Sequence, residues 1–307
     1  MREVVVSTGA RLHFGLFDLV AGRKFGGIGM MVDSPGVTVR VRSAEMTSIN
    51  APGQIASRVD MLVARFREEF ATPAAAVSVP RFIPSHNGLG SGTQLAVALG
   101  SALARLGNFE CSPAEIALAT GRGRRSAIGI HGFETGGFFV DAGHAEGESI
   151  GQIRQRISFP DAWRLVLLTP TDCEGLSGQQ ELDAFSQLPA MSESVNEELR
   201  LRVAQEISPS LEACDFESFA SGLNHFGNTI GQHFAPVQGG VFRSPAASEL
   251  AGKLRSDGIR AVVQSSWGPT VCAIARDEDE AQRISQVSEL DSQIVKPLNR
   301  GATIVAT

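Results

Sequence analysis

Tyrosine is absent from this chain of 307 residues, tryptophan occurs twice and cysteine four times. Cys111, Cys173, Cys214 and Cys272 are widely separated and form no CxxC pair, so they read as free, mostly buried thiols in a reducing compartment. No run of about 18 apolar residues occurs, which argues against a membrane-spanning helix. The opening MREVVVSTGARLHF lacks the apolar core of a signal peptide, and a cytoplasmic location is the expectation. There is no excess of basic residues: the formal net charge is −6, which speaks against nucleic-acid and membrane-surface partners. Neither an internal repeat nor a low-complexity segment is present.

What is present fits an ordinary globular protein. Hydrophobic residues make up 43% and charged residues 20%, and the length suffices for a large core or two domains. Glycine, at 33 residues, promises many tight turns. The acidic balance still leaves room for a local basic pocket, because Arg122, Arg124 and Arg125 share the short stretch GRGRR.

Strands are expected over residues 3–8, 36–41, 76–80, 136–143, 164–169, 259–264, 270–275 and 303–305, from runs of β-branched residues or alternation. Residues 54–70 carry apolar groups at helical spacing, with Val59, Leu62, Val63 and Phe66 on one face. Ser112-Pro113-Ala114-Glu115 is a capping box that starts a helix. Residues 217–234 form an amphipathic helix with Phe219, Leu223, Phe226 and Ile230 inward. Asn224, Asn228 and Gln232 follow at four-residue intervals beside that face. Further helices are expected at 246–256 and 278–287. Helices and strands alternate without a strict βαβ rhythm, which favours an α+β fold. The polar run before Pro160 is the candidate boundary between two domains, 1–158 and 159–307.

The segment Pro84–Gln94, PSHNGLGSGTQ, is the most informative. It follows a strand and opens a long apolar helix over 94–106. At such a helix start backbone N–H groups lack partners and the helix dipole is positive, so an anion is favoured there. Gly88, Gly90 and Gly92 let the backbone approach a phosphate closely, with Leu89 between them. Ser91, Thr93 and Gln94 follow; the hydroxyls of Ser91 and Thr93 can cap the helix or reach a phosphate or its metal. A tight turn with a Ser/Thr cap is the alternative.

With PSHNGLGSGT, SAIGIHGFETGG and SSWGPT in this order, the chain resembles the GHMP kinase superfamily along nearly its whole length. The resemblance implies a two-domain α+β fold, with a ribosomal-protein-like N-terminal domain, a ferredoxin-like C-terminal domain and a ligand cleft between them. Two departures stand out. Kinases of the superfamily commonly carry SGxD before a later GG, and that Asp takes the proton from the substrate hydroxyl; here Gly129 stands in its place. The second Ser of GLGSS is replaced by Gly92. RLHFGLFDL (residues 11–19), SAIGIHGFETGGFFVDAG (residues 126–143) and QSSWGPT (residues 264–270) are similar to the beta-ribofuranosylaminobenzene 5'-phosphate synthase family. That family joins 4-aminobenzoate, or a hydroxybenzoate analogue, to phosphoribosyl pyrophosphate with loss of CO2 and pyrophosphate, on the way to tetrahydromethanopterin.

On that resemblance, the residues sort into roles. Residues 88–94 hold phosphate or pyrophosphate, helped by Arg122, Arg124 and Ser126. Arg11 and His13 face the cleft and hold phosphate or the benzoate carboxylate; the alternatives are a surface charge and a core histidine. Glu134 and Asp141 are the carboxylates for Mg²⁺ or for stabilising the ribosyl cation, with a cap or an arginine pair as the alternative. His131 is either a proton-transfer group or an exposed loop histidine. Ser265, Ser266, Gly268 and Thr270 are expected at phosphate oxygens. Trp267 is expected to stack on the aromatic acid or to lie in the core. Asn224 and Asn228 bind ribose or benzoate, or flank a packed helix. A homodimer is possible by analogy with relatives. Two other functions compete: an ATP-dependent small-molecule kinase, using Asp141 as base, and a catalytically silent ligand sensor.

Overall fold

The computed structural model describes residues 2–20, 22–176 and 178–307. Two long strands start the chain, β1 (Glu3–Phe17) and β2 (Gly26–Ser43), paired antiparallel over most of their length. Their register shifts after Thr8, where Gly9 is obligatory: a Cβ there would lie 1.8 Å from the carbonyl oxygen of Val32. Strand β3 (Ser48–Asn50), helix α1 (Gly53–Phe70) and strand β4 (Ala75–Arg81) follow, and β4 pairs with the C-terminal half of β2. The apolar stripe expected on α1 is its buried face.

Helix α2 (Ser91–Gly107) is the axle of this half, buried nearly all round from Gln94 to Leu106. Small residues make that burial possible: Gly100 lies against Ile116 and Phe66 so closely that a Cβ would come within 2.5 Å of the isoleucine. Helix α3 (Pro113–Ala119) starts at the expected capping box, both halves of which form. A short helix α4 (Ile128–Thr135) then runs into β5 (Phe138–Asp141), which pairs with the N-terminal half of β2 and with β6 (Ile153–Ile157).

The second half is built on a four-stranded antiparallel sheet. It comprises β7 (Arg164–Thr169), β8 (Val262–Gln264), β9 (Val271–Ala275) and β10 (Asp291–Val295), in the order β10-β7-β9-β8. Helices α5 (Gly178–Gln187) and α6 (Glu193–Arg202), a π-helical turn over Val203–Ile207, α7 (Ser208–Glu212) and the long α8 (Phe216–Gln238) lie between β7 and β8 in sequence. Helices α9 (Pro245–Ser256) and α10 (Glu278–Val287) complete it. The last strand, β11 (Thr303–Ala306), returns to the first sheet and pairs with β1. Phe219, Leu223, Phe226 and Ile230 of α8 are buried, as their spacing predicts. Phe219 packs with Phe138, Phe159 and Trp163, and Phe226 meets Phe17 edge-on, so one aromatic core joins the two sheets.

Candidate active site: an arginine-walled anion seat

The glycine-rich segment lies between β1 and the β8–β9 hairpin, and backbone bonds sew the three together. Arg11 N–H donates to Leu89 O (3.1 Å) and Ser266 N–H donates to His13 O (2.7 Å). The Ser265 hydroxyl donates to Gly88 O (2.9 Å) and accepts from His13 N–H (3.2 Å). Gly88 has φ +74°, and a Cβ on it would come within 2.3 Å of Ser265 O. Only glycine meets both demands. Gly90, also left-handed, sits at the start of α2 beside Arg11.

No side chain caps α2. The Ser/Thr-cap alternative therefore falls away: Thr93 and Gln94 N–H donate to Gly90 O (3.1 Å each), and Arg122 and Arg11 lie beside Gly92 and Gly90 at the helix start. Arg122 lies over Gly92: the place a Cβ would take is 2.9 Å from its Nη1. Arg11 reaches Gly88 O at 3.4 Å. Arg125 donates to Glu181 of α5 (2.6 Å), and its guanidinium lies 5.4 Å from the centre of the Phe185 ring. Burial lowers the pKa of Arg11 to about 10, and burial with neighbouring arginines lowers that of Arg122, yet both stay charged at neutral pH. Nε of Arg122 and Nη1 of Arg125 are buried without hydrogen-bond partners. Such donors are costly unless something binds them. Glu181 interacts with all three arginines, and burial raises its pKa. It is the acid of the site, and sequence motifs gave no sign of it.

Beside this seat, sharing Arg122, opens a cleft of about 750 Å³ lined by Lys24, Phe25, Leu118, Arg124, His144 and the 145–149 turn. Arg124 is exposed on its wall.

Gly129 lies at the start of α4, opposite Thr93 and Gln94; a Cβ there would be 3.3 Å from the Gln94 amide nitrogen. Several expected ligands prove to be internal fastenings. The Gln94 side chain is fully buried, donating to Gly129 O (2.7 Å) and accepting from the Thr8 hydroxyl (3.1 Å). It ties β1, α2 and α4 together and is not open to phosphate. Asp141, fully buried, accepts from Ala127 N–H (2.8 Å), Gly143 N–H (2.9 Å) and the Ser126 hydroxyl (3.2 Å). Burial raises its pKa against the pull of those bonds. Asp141 and Ser126 thus brace the start of α4.

His131 is helical rather than in a loop. Its Nδ1 lies 3.6 Å from Glu134, its Nε2 3.3 Å from Gly151 O, and the Glu134 pairing raises its pKa. Glu134 sits at the C-terminal end of α4, two-fifths exposed, with its backbone against Gly301. Among the described residues no three His, Cys, Asp or Glu side chains form a metal-binding group.

Trp267 is buried, 4.7 Å from the Phe234 ring and 5.1 Å from that of Phe185, so stacking on a substrate is excluded in this arrangement. Asn224 and Asn228 accept from Arg255 (3.1 and 3.0 Å), which also holds Val262 O. They fasten α8 to α9 and lie outside the site. The Thr270 hydroxyl meets that of Thr169 inside the second sheet (3.1 Å). His13 is buried, its pKa driven well below the usual imidazole range by burial and by Arg11, and its Nε2 has no partner. Gly268 shapes the hairpin turn, with φ +66°.

The family described as "GHMP kinases N terminal domain" matches residues 57–138. The fold agrees: homoserine kinase from Cytophaga hutchinsonii superposes with a TM-score of 0.66 at 16% identity, covering 99% of this chain and 97% of that one. The chain thus has the fold of the GHMP kinases, and residues 57–138 match the N-terminal domain of that family. Its curated relatives are narrower in kind. It is 27% identical to a beta-ribofuranosylphenol 5'-phosphate synthase from Methanothermobacter thermautotrophicus, over 99% of both chains. It is 29% identical to the enzyme of that name from Archaeoglobus fulgidus, over 87% of this chain and 86% of that one.

Proposed function

We propose that the chain is a beta-ribofuranosylphenol 5'-phosphate synthase type of enzyme. It transfers phosphoribosyl from phosphoribosyl pyrophosphate to the carboxylate-bearing ring carbon of 4-hydroxybenzoate or 4-aminobenzoate, releasing CO2 and pyrophosphate. The observation that carries this reading is a strongly cationic seat with unpartnered donors, set beside Gly129, where no side chain can take a proton.

The reaction needs no base at that place. The bond from the anomeric carbon to pyrophosphate breaks, and its electron pair leaves with the pyrophosphate. The ring carbon supplies the pair for the new C–C bond. The C–CO2⁻ bond then returns its own pair to the ring as neutral CO2 departs. No proton has to be removed from an attacking hydroxyl. What the reaction does need is stabilisation of departing negative charge, which Arg11, Arg122, Arg125 and the first N–H groups of α2 supply from fixed positions. Ser91 and Thr93 add hydroxyl donors at the same helix start. His13, held neutral, adds no charge; its free Nε2 is a polar contact for a ligand edge.

Glu134 and Asp141 do not fit a metal, since both oxygens of Asp141 are taken by Ser126, Ala127 and Gly143 and Glu134 pairs with His131. Mg²⁺ enters this reading only as a counter-ion carried by the pyrophosphate oxygens, as that ion commonly is.

No helix of the described residues is long and apolar enough to cross a membrane. The reading includes a cytoplasmic location, small-molecule substrates only, and a homodimer as the form to look for. Turnover decides between donors. Donor-dependent consumption of the benzoate supports the synthase, whereas ADP formation from ATP with a small alcohol would make the chain a kinase.

A further inference from the structure

We propose that the cleft walled by Lys24, Arg122 and Arg124 seats the 5'-phosphate of the phosphoribosyl donor, so that the donor spans two anion seats sharing Arg122. The inference rests on the phosphoribosyl reading above and adds where the donor's second anionic end goes. Such a donor carries charge at both ends, and the helix start accounts for one.

The cleft has the chemistry of a phosphomonoester seat. Its cations are Lys24, Arg122 and Arg124. Its two acids are Glu146 and Glu148, and Glu148 is already engaged by Arg23, by Ala145 N–H (3.0 Å) and by the Gln152 amide (2.7 Å). Positive charge is therefore left over. Two buried nitrogens lack hydrogen-bond partners, Nε of Arg122 and Nε2 of His144, and both residues line the cleft. The wall is fixed: Lys24 and His144 exchange backbone bonds in both directions (2.9 and 2.8 Å), and Arg23 donates to Gly143 O (2.7 Å). A dianion with three acceptor oxygens matches several separate donors, whereas a singly charged aromatic acid matches them poorly. Among the described residues, Phe25 and Leu118 are the only large apolar side chains on the lining.

Calorimetric binding of two fragments tests this, independently of turnover. Ribose 5-phosphate reports the cleft, and inorganic pyrophosphate reports the helix start. In the double variant Lys24→Gln/Arg124→Gln, the Kd for ribose 5-phosphate should rise about tenfold or more while that for pyrophosphate stays within about twofold. Both residues are exposed, so folding should be unaffected, which an unchanged melting temperature verifies. An unchanged ribose 5-phosphate affinity, an equal loss for both fragments, or a loss confined to 4-hydroxybenzoate would overturn the proposal and leave the phosphoribosyl reading standing. Failure of both fragments to bind the unmodified protein would overturn the two together.

Discussion

The guanidinium of Arg122 lies across Gly92, with Nη1 2.9 Å from where a Cβ would be. The glycine that replaces the second serine of the kinase loop thus makes room for a cation at the start of α2. In the proposed reading, loop and arginine together hold the anion.

Gly92→Ala should therefore displace Arg122 without unfolding the helix, because Gly92 has ordinary helical geometry and alanine favours a helix. The Kd for pyrophosphate should rise about tenfold, close to 1.4 kcal/mol. Calorimetry on the variant checks it, and an unchanged Kd would mean that the anion does not sit against Arg122.

Glu181 holds Arg125 at 2.6 Å and opposes the charge of the same cluster that an anion would use. Glu181→Gln keeps a hydrogen-bonding group but removes the competing charge. Pyrophosphate should then bind severalfold tighter, by a charge effect that shrinks as salt is raised. Weaker binding would show that Glu181 orients Arg125 rather than competes for it.

Much of this fold is legible in the sequence. The capping box of α3, the buried face of α8 and the strand–glycine–helix passage into α2 follow from local rules that the packing does not override. The site is only half legible. Asp141 sits in an apolar stretch close to glycines, and that position says nothing about whether its oxygens are engaged by the backbone. Asn224 and Asn228 look like a ligand stripe because Arg255, their partner, comes from the next helix. Trp267 is placed by Phe185 and Phe234, which are distant in sequence. Glu181 belongs to a polar helix with no motif, and only the tertiary fold brings it to the arginines.

His13 gives a pH signature of stability. Its pKa is well below 6.5 in the folded protein, so below about pH 6.5 the unfolded chain binds more protons than the native one. Stability should fall as pH drops from that point until the native imidazole also titrates. His131 contributes in the opposite sense: its raised pKa favours the folded state at low pH and is lost above its folded value, but the group is part-exposed. Urea unfolding of the protein and of His13→Gln between pH 7.5 and 5 separates them. The variant should lose the downward slope, and an identical slope would place the responsible proton elsewhere.

Because no group has to deprotonate an alcohol, Gly129→Ala should keep turnover within severalfold, the loss coming from its Cβ, which would lie a tight 3.3 Å from the buried Gln94 amide and press on the Gln94–Gly129 bond. Gly129→Asp should not confer ATP-dependent phosphorylation and should weaken pyrophosphate binding severalfold, since it brings negative charge to the anion seat. An ADP-forming Gly129→Asp variant would show that the kinase machinery is otherwise intact.

The most direct test follows both leaving groups at once. With phosphoribosyl pyrophosphate and 4-hydroxybenzoate labelled at the carboxyl carbon, labelled CO2 and pyrophosphate should appear in a one-to-one ratio. In Arg122→Gln both rates should fall together, with the ratio unchanged. Pyrophosphate released without labelled CO2, or a product that retains the label, would contradict the account.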